Sequence, residues 1–418
     1  MRAHRFADHP FRKALQDEVH ARPVAFIEPP ARIRRVALLL PQEPDAVNEA
    51  QRRFAVWCGS AGVPAPGPGA RQHGFDVAKK RVTWELHTEF VTLTWVAPID
   101  DAQNWPDGIG LEVFEAEQLI AAVRIDLINA SKIGADVLAG FQAASLCAAS
   151  IEAGLAEVAT DFIADADGFT RFQLAAGDLA ALRRAIVVRR LLEIETYRTL
   201  ALLGLPLARS VTPALNLAED KLGALVPSLA DATTTEQAQK ALGALHALSV
   251  TAGELVEKTS YRFAASRAYG DVLNARLRNL GEEALGFAST LEAYLRNRVD
   301  PALATCQAVE KRQAALSEKI ERATELLNAR ISLDIQAQNR SVLATIAETA
   351  RSQYQLQKTV EGLSTIAISY YLLAILSYVL SGLSELAHLN KTFVIAAAAP
   401  FVIAAVYVLV RNIRKSVH

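Results

Sequence analysis

The chain has 418 residues, with 44 Lys and Arg against 45 Asp and Glu and a formal net charge of −1 at pH 7. A dedicated nucleic-acid binder carries a basic excess, so this balance argues against nucleic acid as a partner. Cys58, Cys147 and Cys306 are odd in number and far apart, which fits reduced cytosolic thiols better than a disulfide framework or a zinc site.

The opening residues, Met1 to His9, have no apolar h-region and read as free of a secretory signal. Residues 1–177 are expected to form a mixed α/β domain. Arg32–Leu40 reads as a strand closed by Pro41. Ala46–Cys58 has helical spacing, with Val47, Ala50, Phe54 and Trp57 on one side. Gly59–Gly69 holds Pro64, Pro66 and Pro68 and reads as a loop. Its prolines remove backbone donors and no Lys-Ser/Thr follows, so it does not make a phosphate loop. Arg81–Phe90 and Val91–Ala97 read as one long bent strand or as a tight hairpin. Ala121–Ile128 and Gly168–Leu174 are further strands, the latter after an Asp165-Ala166-Asp167-Gly168 turn.

Residues 178–300 read as helical. Asp178–Leu203 is rich in Ala, Leu and Arg and is expected to stop at Gly204-Leu205-Pro206. Thr233-Thr234-Thr235-Glu236 offers a capping box opening a second helical tract that runs to Val299-Asp300-Pro301. Residues 301–361 then form a stalk, since Ala302–Glu361 contains neither Gly nor Pro. Sixty helical residues span roughly 90 Å. Val309, Leu316, Ile320, Ala323, Leu327, Ile331, Ile335, Val342, Ile346, Leu356 and Val360 recur at spacings of three or four or their multiples. They form a coiled-coil-like seam with polar lapses at Gln338 and Gln353.

Gly362–Ser384 and Thr392–Val410 contain no charged residue. Each is near the ~20 residues that carry a helix through a ~30 Å hydrocarbon core. The seven-residue connection Glu385–Lys391 leaves room only for a helical hairpin over residues 362–411, with a basic tail at 412–418. Arg411, Arg414 and Lys415 behind the second span, and Arg351 and Lys358 before the first, place the tail and the large N-terminal region in the cytoplasm. On the first span Gly362, Ser369, Tyr370, Ser377 and Ser381 share one broad face, expected to pack helices or to line a pore.

Chemistry-bearing residues gather in three places. In Trp84–Phe90, an extended backbone puts Glu85, His87 and Glu89 on one face, two carboxylates beside an imidazole, which is an acid/base or metal-binding pattern. In Asp17–Pro23, Glu18, His20 and Arg22 alternate, and Pro23 keeps Arg22 extended. This arm is expected to lie beside Glu85–Glu89, with Arg22 paired to a carboxylate or facing an anion. In Ser260–Tyr269, Arg262, Ser266 and Tyr269 share a helix face that, with Arg267, suits an anion or a lipid headgroup. No Ser/His/Asp order, HExxH, CxxC or nucleotide fingerprint is present, and no cofactor or metal is assigned.

At these blocks the sequence resembles a bacterial family catalogued as a domain of unknown function (DUF3422) and described as predicted membrane-anchored proteins. The resemblance rests on His9-Pro10, Glu18–Pro23, Trp84-Glu85 with His87 and Glu89-Phe90, Ser260–Tyr269, and Thr359–Ser364. It implies an anchor in the bacterial inner membrane and brings no catalytic residue. In architecture alone the chain is also similar to the CorA-type divalent-cation channels. Their Gly-Met-Asn motif is missing, since Ser381-Gly382-Leu383-Ser384-Glu385 stands in its place. The expected function is a non-enzymatic, membrane-anchored scaffold or sensor with the lipid bilayer as partner, forming a homo-oligomer through stalk and first span. A CorA-like ion conduit and a membrane-tethered hydrolase using Glu85, His87 and Glu89 are the alternatives.

Overall fold

The structure of the chain is a computed structural model that describes residues 8–13, 15–16, 23–231, 234–387 and 391–416. It divides into two units, Met1–Ala230 with Gly243–Ala323 and Asp231–Leu242 with Thr324–His418.

The first unit is built on a nine-stranded mixed sheet of order β2-β3-β4-β1-β5-β8-β7-β6-β9. In chain order the strands are β1 Ala31–Leu39, β2 Gln72–Val77, β3 Lys80–Leu86, β4 Phe90–Pro98, β5 Gln118–Ile128, β6 Cys147–Ile151, β7 Ala156–Ala164, β8 Thr170–Ala175 and β9 Glu283–Ala284. Every pairing is antiparallel except β5 with β8. The period of two in a strand sorts side chains between the faces. Val36, Leu38, Trp84, Leu93 and Trp95 pack on helix α1 (Ala46–Ala61), where Phe54 stacks on Trp84 with ring centroids 4.9 Å apart. After the short helix α2 (Ala135–Ala139), helix α3 (Ala181–Leu202) covers the opposite face, burying Val187, Leu191 and Ile194 with Ile33, Ile125, Leu127 and Phe172.

Helices α4 (Gly204–Asp231), α5 (Thr235–Arg278) and α6 (Leu291–Ala387) follow, the last two running through both units. Gly204 sits where three of these helices crowd. Its N–H donates to Ser266 Oγ at 3.0 Å, and a Cβ there would lie 2.8 Å from that oxygen and 3.0 Å from Cys306 Sγ. Buried polar contacts also join α5 to α6, with Thr259 Oγ1 donating to Gln313 Oε1 at 3.1 Å.

Several expected boundaries move. The helix before Gly204-Leu205-Pro206 does end there, at Leu202, but these residues at once open α4, because a proline in the first turn lacks only an N–H that has no partner there. Pro301 lies inside α6, which already begins at Leu291. The capping box is one residue later than expected. Thr234 N–H donates to Gln237 Oε1, and Gln237 N–H to Thr234 Oγ1, both at 3.3 Å. Strands β2, β6, β7 and β9 were not legible as such.

In the second unit, α6 and helix α7 (Lys391–Ser416) carry the apolar segments. Among the described residues, three helical segments are long and apolar enough to cross a membrane by length and composition: Ala181–Pro227, Leu291–Val379 and Ile395–Asn412. The most apolar window of the first is 33 % buried, against 6 % in each of the other two. The seam of α6 changes character along its length. Val309, Leu316, Ile320, Ala323 and Leu327 are buried, Ile331 is half-buried, and every residue from 335 to 360 is exposed.

Candidate functional site

The β3–β4 connection is a tight hairpin. His87-Thr88-Glu89 forms its turn, closed by His87 N–H on Phe90 O at 2.9 Å, and Leu40 N–H holds the Glu89 carbonyl at 2.9 Å. The expected extended run through Phe90 is therefore cut at Leu86, and only Glu85 keeps its place on a strand. Trp84 and Leu86 enter the apolar core against α1, and Glu85, 3 % exposed, joins a polar patch with α3 and α5.

Around Glu85 the charges alternate. Arg35 on β1 reaches across β4, its Nη2 2.7 Å from Glu85 Oε2 and its Nε donating to Thr94 Oγ1 at 2.7 Å. Thr92 Oγ1 donates to the same Glu85 oxygen at 3.4 Å. On α3, one helical turn brings Arg189 Nε within 3.0 Å of Glu193 Oε1. Arg276 on α5 donates to the other Glu193 oxygen. Burial alone would lower the Arg189 guanidinium, but Glu193, and after it the charge of Glu85, holds it above its ordinary value. The resulting row, Arg35, Glu85, Arg189, Glu193 and Arg276, lines a small, largely enclosed cavity of about 70 Å³. The His87 ring lies at its edge, stacked on Phe90 with centroids 4.1 Å apart and planes 8° from parallel.

Glu89 points the other way, into the Ser260–Tyr269 face of α5. Its two oxygens accept four hydrogen bonds: Arg262 Nη1 at 3.0 Å, Arg262 Nη2 at 2.8 Å, Tyr261 Oη at 2.9 Å and Tyr269 Oη at 2.8 Å. Burial pushes the Glu89 carboxyl up, and the Arg262 and Tyr269 bonds, with Arg262's charge and Tyr261, outweigh it and hold it below the usual carboxylate range. Burial and Glu89 raise both phenols. A carboxylate offers about four acceptor positions, so Glu89 is filled by protein donors. It fastens the hairpin to α5, while Glu85 is held through Oε2 by Arg35 and Thr92. Among the described residues no group of three or more His, Cys, Asp and Glu side chains could hold a metal ion.

A family profile described as Protein of unknown function (DUF3422) matches residues 7–417. The chain belongs to this family. No curated protein and no solved structure matches it.

In this DUF3422 chain the other expected site residues are placed as follows. Arg262 and Glu89, seen in separate motifs, meet each other, so the anion of that helix face is supplied by the protein. Arg267 pairs with Glu310 on α6, Nη2 to Oε2 2.6 Å, half-exposed. Glu18, His20 and Arg22 lie outside the described residues. In the first charge-free segment Ser369 is 4 % exposed and Ser377 and Ser381 are half-buried, while Gly362 is exposed and Tyr370 is 71 % exposed, so the expected broad face divides. Sequence reasoning missed Arg35, Arg189, Glu193 and Arg276. The one available signal was arginines set among apolar neighbours, Arg34 and Arg35 in β1 and Arg189 and Arg190 in α3, where a charge must find a partner.

Proposed function

We propose that this protein is a membrane-anchored, non-enzymatic scaffold or sensor of the bacterial inner membrane, with residues 362–384 and 392–410 as a transmembrane hairpin and the sheet unit in the cytoplasm. The observation that carries this reading is the contrast in burial. Ala181–Pro227 buries one side, including Val187, Leu191, Ile194, Val211 and Leu215, against the protein's own core, whereas Ile366, Ile375 and Phe401 are 70, 63 and 77 % exposed. Apolar surface of that extent needs another apolar medium, and segments near 20 residues without charge suit lipid. The exposed seam of α6 from Ile335 to Val360 supports self-association through the stalk, because a heptad-like stripe gains by packing on another copy.

Cysteine labelling tests the arrangement. The three native cysteines are buried, so background reaction is low. In intact cells an impermeant maleimide labels a cysteine at position 384 and not one at position 416, and the protein stays in the membrane pellet after alkaline extraction. Release by alkali, or labelling of position 416 from outside, overturns the reading.

A second reading is a CorA-like conduit. It is favoured by Ser369, Ser377 and Ser381, hydroxylated residues on a charge-free segment, where such side chains mark a protein-facing or water-facing side. Particle mass in detergent separates the two, since a monomer or dimer has no axial pore.

A further inference from the structure

On the α1 side of the sheet, buried donors without a hydrogen-bond partner among the described residues stand in one row: Trp95 Nε1 on β4, Arg34 Nη1 on β1 and Arg124 Nε on β5. The three strands are neighbours, and Arg34 lies opposite Trp95 on one side and opposite Arg124 on the other. Directly opposed side chains share a face, with Cβ atoms about 5 Å apart. Arg34 and Trp95 are both 0 % exposed.

Arg34 is a buried cation served by neutral groups. Its Nε donates to Asn104 Oδ1 at 2.9 Å and its Nη2 to the Asp101 carbonyl at 2.8 Å, both on the β4–β5 connection. The carboxylates nearby are engaged with other cations: Asp126 with Arg32 at 2.6 Å, Asp101 with Lys80 at 3.1 Å and Asp165 with Arg124 Nη1 at 3.0 Å. Arg124 Nε stands 3.6 Å from Asp126 Oδ2, beyond hydrogen-bond range. Burial, followed by the charge of Arg32, lowers the Arg34 guanidinium to about 10. A buried charge without a counter-ion and a buried N–H without an acceptor are each costly, so the row calls for an acceptor that brings negative charge.

We infer that a monatomic anion, a halide such as chloride, binds between Arg34, Arg124 and Trp95 and accepts their three free N–H groups. All three nitrogens are closed off from solvent, and a halide takes little more room than a water molecule while accepting from every direction. The extra oxygens of phosphate or sulfate would meet the Asp126 and Asp165 carboxylates beside Arg124. A neutral water would fill the space but leave the Arg34 charge uncompensated. The site lies in the sheet unit and goes beyond the membrane-anchor reading without depending on it.

Thermal melting of the full-length protein in detergent, at ionic strength fixed with sodium isethionate, tests the proposal. Replacing isethionate by chloride or bromide raises the melting temperature with a saturating dose response, because a ligand held by the fold and not by the unfolded chain stabilises the fold. Bromide quenches indole emission on contact, so it adds to the linear quenching of exposed Trp105 a saturating component with the same midpoint. Trp95→Phe removes that component. Arg34→Met takes away the charge and raises the halide midpoint by at least about tenfold, as expected for a lost charge-assisted hydrogen bond. Arg267→Gln, whose partner is Glu310, leaves the midpoint unchanged. Equal melting in isethionate and chloride, the outcome if water alone fills the site, overturns the proposal. So does wild-type bromide quenching that stays linear throughout, or an R34M midpoint matching that of the wild type. The melting and quenching comparisons use wild-type protein, so they decide the matter even if both variants fail to fold.

Discussion

Glu89 and Arg262 form a two-pronged ion pair, Oε1 to Nη1 at 3.0 Å and Oε2 to Nη2 at 2.8 Å, across 173 positions of sequence. Both side chains are largely buried, at 8 and 13 % exposure. The pair joins a hairpin turn to a long helix, and Tyr261 and Tyr269 complete it from the same helix. Its fork geometry makes it a positioning device more than a chemical one.

Removing one partner of such a pair leaves a buried charge uncompensated, at about 3–5 kcal/mol. Glu89→Gln is therefore expected to lower unfolding free energy by about 3 kcal/mol in urea melts at neutral pH. Glu89 is held below its ordinary value of 4.5 in the fold. Its contribution is present above that value and fades as pH falls through the lower folded value. The wild-type advantage over E89Q should thus shrink on acidification below 4.5; a difference that stays constant there would contradict the assignment.

Glu282 behaves in the opposite sense. Burial pushes its carboxyl from 4.5 up to about 7, although Oε2 accepts the Leu291 N–H at 2.6 Å at the start of α6. A carboxyl raised in the fold stabilises fully below 4.5 and loses that contribution as pH rises through about 7. At 1.36 kcal/mol per pH unit this amounts to at most about 3 kcal/mol. Glu282→Gln should flatten the stability profile between about pH 5 and pH 8. Parallel wild-type and variant profiles in calorimetry would show that Glu282 does not titrate in this range.

The α6 seam offers a paired test. Ile320 is 3 % exposed and Ile346 is 57 % exposed. Ile320→Asp buries a charge without a partner and should cost several kcal/mol of stability. Ile346→Asp should leave thermal melting of the sheet unit unchanged while reducing particle mass in light scattering. Unchanged mass in I346D would remove the stalk from the assembly interface.

Gly204→Ala tests the crowding of the helices. Its new Cβ would meet Ser266 Oγ at 2.8 Å and Cys306 Sγ at 3.0 Å, and overpacking of this kind costs about 1–3 kcal/mol. Denaturant midpoints measure it directly, and a neutral substitution would mean that α4, α5 and α6 can spread without loss.

Local pattern made part of this molecule legible. The strand run of β1 closed by Pro41, the apolar side of α1 and the charge-free segments near the C-terminal end are properties of neighbouring residues, because side-chain direction in a strand or helix repeats every 2 or 3.6 residues. The same reasoning stopped short at Gln72–Val77 and at Cys147–Ile151, where few large apolar residues alternate and the partner strand supplies the order. It also joined His87 and Glu89 to the strand of Glu85, since sequence spacing does not reveal a turn that a distant backbone donor, Leu40 N–H, helps to hold. Which charges meet was decided only in three dimensions. Glu85 with Arg35 across the sheet, Glu193 with Arg276 between two helices, and Glu89 with Arg262 between hairpin and helix are separated by 50, 83 and 173 positions, and each pair exists because tertiary packing brings the two groups within hydrogen-bond range. The seam of α6 divides for the same reason. Its periodicity is nearly uniform, but Leu316 and Ile320 have protein beside them and Val342 and Ile346 do not. Period belongs to the chain; burial belongs to whatever lies across from it.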